Sequence, residues 1–218
     1  MLNVITFLWG TKYNASHVNR LARLVRTYYP APHRFLCITD DPRGIECETR
    51  PGFGDFIGVP SPHGPAFPAC YRRLRLFHPD AAQWFGDRFV SLDLDWTIHA
   101  DLRPLWGRPE PFVALRDPLY GHRGQYCGAM LMLTAGAMPQ VWERFRPDGG
   151  PRVARARGFR GSDQAWISYA APGAPTWTTA DGVYSYKVDC RKGLPAGARM
   201  VNFHGQSKPW TCGQLWAA

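Results

Sequence analysis

The sequence predicts an α/β protein: a single domain with a mixed, mainly parallel central sheet flanked by helices. Three observations carry that prediction. Val4 to Leu8, Phe35 to Thr39 and Phe89 to Leu92 are short, continuous apolar runs, as in strands covered on both faces. The first two are separated by a stretch with helical spacing, so the chain opens strand, helix, strand, with polar residues where strands end. At 218 residues the chain is also long enough to bury a proper core as one domain.

The elements follow in order. The first strand, Val4 to Leu8, ends at Trp9-Gly10-Thr11. A helix comes next, with Asn14 or Ser16 as its cap. Val18, Leu21, Ala22, Val25 and Tyr28 recur on one face, and Pro30 stops it. The strand Phe35 to Thr39 ends in Asp40-Asp41-Pro42. Residues 51–68 hold five prolines and four glycines and fit no regular element; such a segment is either a functional lid or a plain surface loop. Tyr71 to Phe77 reads as a short helix ended by Pro79. The strand Phe89 to Leu92 then delivers Asp93 and Asp95 at its C-terminal end. Phe112 to Leu115 and Ala129 to Leu133 are further strands, helices are expected at about 137–146 and 163–171, and weaker strands at 183–188 and 199–203. Neither an internal repeat nor a second-domain boundary is visible.

Composition narrows the class. Hydrophobic residues make up 45% of the chain, an ordinary share for a globular protein. Met1 to Gly10 carry no basic leader pattern, and no apolar run is long enough to span a bilayer, so the sequence predicts a soluble, cytoplasmic protein. The six cysteines are scattered without a CxxC pair. Cys37, Cys70 and Cys127 sit among apolar or aromatic neighbours, as buried thiols do, which argues against structural zinc and a disulfide framework. Net charge is +9, and six arginines fall between Arg144 and Arg160 in a stretch that also carries Pro147, Gly149, Gly150 and Pro151. That stretch is either a solvated loop or a docking patch, for anionic lipid at the inner face of a membrane or for an acidic acceptor. Nucleic acid is not expected: the arginines are not interleaved with stacking aromatics, and no helix-turn-helix or RNA-binding signature occurs.

The chemistry gathers in two short pieces. In an extended strand, residues two apart point the same way, so Asp93 and Asp95 can face one cation while Leu92 and Leu94 enter the core. A neutral His204 could supply a third ligand, and Lys208 a positive charge for a phosphate. Hard oxygen ligands suit Mg²⁺ or Mn²⁺, and an imidazole tilts the choice toward Mn²⁺. Each residue has a plainer reading: an Asp-x-Asp arises often by chance, Lys208 could be a solvated lysine, His204 a satisfied loop histidine, and Trp210 ordinary core. Asp163 could be a helix cap behind Ser162. Arg73 lies beside Arg72 and Arg75, any one of which could simply be exposed.

Taken together these residues resemble the GT-A glycosyltransferases, most closely glycosyltransferase family 8, whose members use nucleotide-sugar donors. Tyr71-x-Arg73-Leu74-x-Leu76 is similar to that family's helix ahead of the metal strand. Val90-Ser91-Leu92-Asp93-Leu94-Asp95 and Asp101-Leu102-x-Pro104-Leu105-Trp106 are similar to its metal-binding strand and the turn beyond. Ser162-Asp163-Gln164 resembles its Asp-Gln step near the donor sugar, and His204-Gly205-x-x-Lys208-Pro209-Trp210 its C-terminal segment. The resemblance implies a single GT-A (Rossmann-like) domain over residues 1–218. It implies that Asp93, Asp95 and His204 hold a Mn²⁺ or Mg²⁺ ion bridging the donor's phosphates, with Asp93 also touching the ribose. Lys208 would then offset charge on the leaving diphosphate, and Gly205 would let backbone approach phosphate oxygens. Arg73, Asp163 and Gln164 would bind the donor sugar, and Trp9, Gly10, Tyr13, Thr39 and Asp40 would surround the uracil base. One departure touches sugar recognition: where the family carries an Asn before the strand holding Gly128, this chain has Gln125-Tyr126-Cys127.

The activity implied is metal-dependent transfer of a hexose from a UDP-sugar to an acceptor hydroxyl, with retention by front-side attack, the leaving phosphate taking the proton. No carboxylate nucleophile for a double displacement stands out in the sequence. The acceptor stays open among carbohydrate, lipid-linked and protein classes. Two other classes use similar residues. A metal-dependent nucleotidyltransferase or phosphohydrolase would need a further acidic ligand. A non-catalytic nucleotide-sugar-binding module would keep the fold without turnover.

Overall fold

The computed structural model describes residues 1–62, 64 and 69–217. Its strands and α-helices run, in chain order, β1 (Leu2–Leu8), α1 (Ala15–Tyr28), β2 (His33–Thr39), β3 (Glu48–Pro51), α2 (Ala82–Phe85) and β4 (Arg88–Leu92). Then come β5 (Trp96–Ile98), α3 (Arg103–Trp106), β6 (Phe112–Arg116), β7 (Tyr126–Thr134), α4 (Gln140–Glu143) and α5 (Gly150–Ala156). The chain closes with α6 (Asp163–Ala170), β8 (Thr176–Trp177), β9 (Val183–Ser185), α7 (Tyr186–Asp189) and β10 (Met200–Asn202). One seven-stranded sheet has the order β3-β2-β1-β4-β7-β6-β8, and a three-stranded sheet has the order β5-β10-β9. The large sheet is mixed and mainly parallel, as the apolar runs predict. Among the described residues no helix is long and apolar enough to cross a membrane.

The chain divides into two compact units. The first comprises Met1–Pro51, Ser91–Pro109 and Trp177–Ala218. Here β1 runs parallel to β2 from Leu2 opposite His33 to Leu8 opposite Thr39, so the two strands end level and their loops leave side by side. Val4 and Ile5 are fully buried, and the buried Thr6 satisfies its hydroxyl by donating to Leu92 O at 2.9 Å. Helix α1 buries Val18, Leu21, Ala22 and Val25. Its cap is Asn14, whose Oδ1 accepts from Ser16 N–H at 3.1 Å while His17 Nδ1 accepts from Asn14 N–H at 3.1 Å. Arg20 on the same helix donates to Trp96 O and Ala217 O, tying α1 to β5 and to the C-terminal segment.

The small sheet sets the site. β10 lies antiparallel to β5, with Asn202 opposite Trp96, and parallel to β9, with Asn202 opposite Ser185. Phe203 N–H continues the ladder by donating to Asp95 O at 3.0 Å. Asp95, Ser185 and His204 therefore all emerge at one end of this sheet. Beneath it Phe203 stacks on Tyr186 at 4.3 Å and packs with Cys190, Val201 and Ala217.

The second unit comprises Gly52–Val90 and Glu110–Thr176. β6 and β7 pair antiparallel, with a register shift between Ala114 and Leu115 that re-aims Arg116 and Asp117. Tyr71–Phe77 is a 3₁₀ helix burying Tyr71, Leu74, Leu76 and Phe77 and, with them, Arg72 and Arg73. The start of the proline- and glycine-rich segment is anchored. Phe53 packs on Trp84 and Phe85, Asp55 pairs with Arg75 at 3.1 Å, and Phe56, at a φ of 58°, packs on Trp142 and Phe145. His63 and residues 65–68 of that segment lie outside the described residues.

Several elements differ from the sequence expectation. β3, β5, β8, α2, α3 and α5 were not expected; runs of two to seven residues are too short for a periodic pattern to declare itself. The helix expected at 137–146 is confined to Gln140–Glu143, between Pro139 and the Pro147-Gly149-Gly150 stretch. The strand expected at 183–188 breaks into β9 and α7, because the Ser185 hydroxyl accepts from Val188 N–H and starts a turn of helix. Cys70 is half-buried where a buried thiol was expected, while Cys190 is buried. Burial pushes the Cys37 thiol up to about 12 and the Cys190 thiol up to about 11.

Candidate functional site

The first unit holds a polar cluster built around a buried ion pair. β4 ends at Leu92, and Asp93-Leu94-Asp95 forms the bend by which the chain leaves the large sheet for β5. Leu92 and Leu94 are buried as alternation predicts, but the aspartates sit in the bend rather than on the strand. Lys208 Nζ lies 2.5 Å from Asp95 Oδ2 and also donates to Phe203 O at 2.8 Å, and both side chains are only 8% exposed. The Tyr13 hydroxyl donates to the same Asp95 oxygen at 3.1 Å. His204 Nε2 lies 2.7 Å from Ser185 Oγ. Lys208 is held from its own side by a turn, in which Thr211 and Cys212 donate their N–H groups to Lys208 O. Trp210 packs its ring on His17 at 4.1 Å, and burial holds the His17 imidazole below the usual histidine range.

Asp93, Asp95 and His204, the three residues expected to ligate a metal, are not assembled as a ligand set here. Among the described residues no group of three His, Cys, Asp or Glu side chains is placed to hold a metal ion. The donor chemistry explains this: the Asp95 carboxylate is taken by an ammonium and a phenol, and the His204 ring nitrogen by a hydroxyl. In this arrangement the residues do not fit a resident divalent cation.

Beside the cluster lies a cleft of about 390 Å³, formed where β1 and β2 end level and α1 begins. Trp9, Gly10, Tyr13, Thr39 and Asp40 all line it. Gly10 has a φ of 69°, the left-handed region that favours glycine at the strand's exit. On the rim, Arg43 grips the Asp41 carboxylate at 2.6 Å and holds it down at about 2. Tyr13 belongs to both places: its ring faces the cleft and its hydroxyl reaches Asp95. Gly205 stands exposed at a φ of 90°, in the loop between His204 and Lys208.

The second unit holds a separate buried cluster. Arg73 Nε pairs with Asp163 Oδ2 at 3.2 Å, and Arg73 also donates to Gly128 O. Asp163 opens α6 and accepts from the Ser162 hydroxyl at 3.0 Å, so it is an ion-pair partner as well as a first-turn acid. Gln164 Nε2 points toward Asp117 Oδ2 at 3.5 Å, and Gln164 Oε1 accepts from Gly128 N–H at 3.4 Å. Gly128 is glycine for a spatial reason: a Cβ there would sit 3.1 Å from Arg73 Nη1 and 3.3 Å from Asp163 Oδ2.

Asp117, in this cluster, was not singled out in the sequence, and Gln125 was noted there only as part of a departure from the family's pattern. Asp117 is buried, with Oδ1 accepting from Leu119 and Tyr120 N–H and Oδ2 from Gln125 Nε2 at 3.0 Å. Gln125, only 1% exposed, returns a bond by accepting from Arg160 N–H at 2.7 Å, clamping the approach to α6. A lone Asp after a strand carries no motif; its one signal was position at the end of an apolar run. In the departing Gln125-Tyr126-Cys127 step, Tyr126 is spent structurally: its hydroxyl donates to Ala171 O and accepts from Ala174 N–H.

No protein-family model matches the chain, and no curated protein matches it in sequence. Solved structures do match. A galactosyltransferase, LgtC, in complex with donor and acceptor sugar analogs is 15% identical with a TM-score of 0.63, over 98% of this chain and 90% of that one. The glycosyltransferase GlyE of Streptococcus pneumoniae TIGR4, in its apo form, is 12% identical with a TM-score of 0.61, over 98% of this chain and 57% of that one. The chain has the GT-A fold of these glycosyltransferases.

Proposed function

We propose that the chain is a glycosyltransferase that moves a hexose from a UDP-sugar to an acceptor hydroxyl with retention of configuration. The observation that carries the reading is Tyr13, which joins a cleft of nucleoside size to a buried lysine. Pockets for small ligands begin at roughly 300 Å³, and this cleft of about 390 Å³ clears that size. The base would lie among Trp9, Gly10, Thr39 and Asp40, and the ribose by Asp93. Two of the three N–H groups of the Lys208 ammonium are used by Asp95 and Phe203, leaving one for a phosphate oxygen. Gly205 gives the backbone freedom to approach the phosphates.

Arg73, Asp163 and Gln164 would orient the sugar, since each is fixed by a second partner and needs little reordering to bind. Asp117 accepts all its bonds from held groups, which suits a positioner of Gln164 better than a nucleophile. That supports front-side attack, in which the acceptor proton passes to the departing phosphate. Mn²⁺ or Mg²⁺ enters this reading as companion of the diphosphate, because Asp95 is otherwise held by Lys208. The fold of LgtC, a galactosyltransferase solved with donor and acceptor sugar analogs, supports the same class.

We also place the protein in the cytoplasm, docking peripherally on anionic membrane through residues 144–160. All six arginines there are exposed, and none makes an ion pair with a carboxylate among the described residues. The donor assignment is tested by thermal melting with UDP, GDP and ADP, each with Mn²⁺. UDP at about a hundred times its Kd should stabilise by about 2.7 kcal/mol. An equal shift from ADP, or none from UDP, would overturn it.

A further inference from the structure

We infer that the acceptor carries a phosphate beside its reacting hydroxyl, and that Arg116, Arg123 and Arg160 hold this phosphate at the rim of Gln164. This rests on the reading of Gln164 as a donor-sugar residue and names the chemical class of the second substrate.

The geometry lies wholly within the second unit. Residues 116–125 and 157–164 are clamped side by side by the buried Gln125. Its Nε2 donates to Asp117 Oδ2 at 3.0 Å and to Arg160 O at 3.2 Å, and its Oε1 accepts from Arg160 N–H at 2.7 Å. The Gln164 amide reaches the same two groups, Asp117 Oδ2 at 3.5 Å and Arg160 O at 3.4 Å. Gln164 is half-buried, so it meets solvent where the two clamped segments meet each other. A hydroxyl attacking a sugar held at Gln164 must come within about 3–3.5 Å of the reacting carbon. The rest of the acceptor then lies on these segments.

The charge there is one-sided. Arg116, Arg123, Arg157 and Arg160 are exposed, and among the described residues none of the four pairs with a carboxylate. The two carboxylates of these segments are buried and turned inward. Asp163 pairs with Arg73, and Asp117 accepts from the N–H groups of Leu119 and Tyr120 and from Gln125 Nε2. Neither offsets the charge on the rim.

The three arginines are also held. A Cβ at Gly121 would stand 2.5 Å from Arg116 Cγ, so the glycine lets the Arg116 stem lie against the loop backbone. Arg123 Nε donates to His122 Nε2 at 3.2 Å, which leaves both Nη groups for a ligand. Arg160 has its backbone fixed by Gln125 in both directions. A guanidinium fork matches two phosphate oxygens at once, and a fork already held loses little freedom on binding. A neutral acceptor would use none of this charge.

The test reads anion binding to the full chain with no donor present. Glycerol phosphate and dihexanoyl phosphatidic acid offer the same phosphate free and on a lipid, and each is titrated by calorimetry. The unmodified chain is compared with the rim variant Arg116→Gln/Arg123→Gln. The control is Lys187→Gln/Arg191→Gln, which removes the same charge from exposed cations of the first unit. The rim variant should lose about tenfold or more in affinity for at least one probe, and the control should not. Loss for glycerol phosphate identifies a free phosphate as sufficient, and loss for the lipid alone identifies a lipid-linked acceptor. No binding of either probe to the unmodified chain, or equal affinities in the rim variant and the control, would overturn the inference. If the rim variant does not fold, the ¹⁵Nε resonances of the unmodified chain decide. Those of Arg116, Arg123 and Arg160 should shift with a probe while that of Arg144 stays in place; uniform shifts, or none with either probe, overturn it. UDP melting tests the donor cleft in the first unit separately, so each idea can fail without the other.

Discussion

Lys208 and Asp95, 113 residues apart in the chain, face each other at 2.5 Å with almost no exposure to solvent. They meet because β10 pairs with β5 and Phe203 extends that pairing to Asp95. The pair is joined to a cleft at the ends of β1 and β2 through Tyr13. A buried pair of this kind adds little net stability, since desolvation offsets attraction, but it makes each partner costly to remove.

Asp95→Ala should therefore destabilise the protein by about 3–5 kcal/mol, because it strands a buried ammonium. The double variant Asp95→Ala with Lys208→Met should recover a good part of that loss. Urea unfolding of the four forms in a double-mutant cycle checks this; independent, additive effects would show that the pair is not coupled.

Gly128→Ala separates folding from chemistry in the second unit. The new Cβ would press on Arg73 Nη1 at 3.1 Å and Asp163 Oδ2 at 3.3 Å, shifting both slightly. Overpacking of this kind costs about 1–3 kcal/mol, whereas a small misplacement of Arg73 and Asp163, if they bind the sugar as proposed, can cost about a hundredfold in rate. Melting temperature and turnover measured together should show a folded, strongly impaired protein. Unimpaired turnover would remove this cluster from the site.

Stability should fall as the solution is acidified through the ordinary histidine pKa of 6.5. Burial holds both His17 and His99 below that value in the folded protein, and Arg20 adds repulsion to each. The unfolded chain thus takes up protons that the folded one resists, so stability is complete above 6.5 and is lost below it. Protonated His17 could also no longer accept from Asn14 N–H, which loosens the start of α1. Unfolding free energies between pH 5 and pH 8 test this, and the double variant His17→Gln with His99→Gln should flatten the slope. An unchanged slope would place the dependence elsewhere.

Arg75→Ala should release the segment that begins at Phe53. Its guanidinium lies 3.9 Å from the Trp84 ring centroid and pairs with Asp55, so the substitution removes both anchors. Each such contact contributes about 0.5–2 kcal/mol. Limited proteolysis should cut the variant within residues 52–62 faster than the parent, and equal rates would contradict this.

Legibility in the sequence followed the length of each pattern. β1, α1, β2, β4 and β7 were visible because their apolar runs or helical spacing span enough residues. β9 and β10 were read as weak strands and β5 was not; all three are three residues long and join into a sheet only through long-range pairing, which no local pattern announces. This is why Asp95, His204 and Lys208 could be chosen as a group while the ammonium on Asp95 and the hydroxyl on His204 could not be foreseen. The arginines of the 3₁₀ helix show the same limit. Arg72 donates to Phe53 O, Arg73 pairs with Asp163, and Arg75 pairs with Asp55, three partners that the sequence could not tell apart. Asp117 escaped notice because it sits in no motif, and Gln125 stood out only as a departure from one; only the fold brings them to Gln164 and Arg160.

The most direct test of the account is the product formed when the protein is incubated with UDP-glucose or UDP-galactose and Mn²⁺, resolved by chromatography. The account predicts slow release of UDP and free hexose, with the α anomer formed first. Release of UMP would identify phosphodiester chemistry instead, and tight binding of both donors with no turnover would contradict glycosyl transfer.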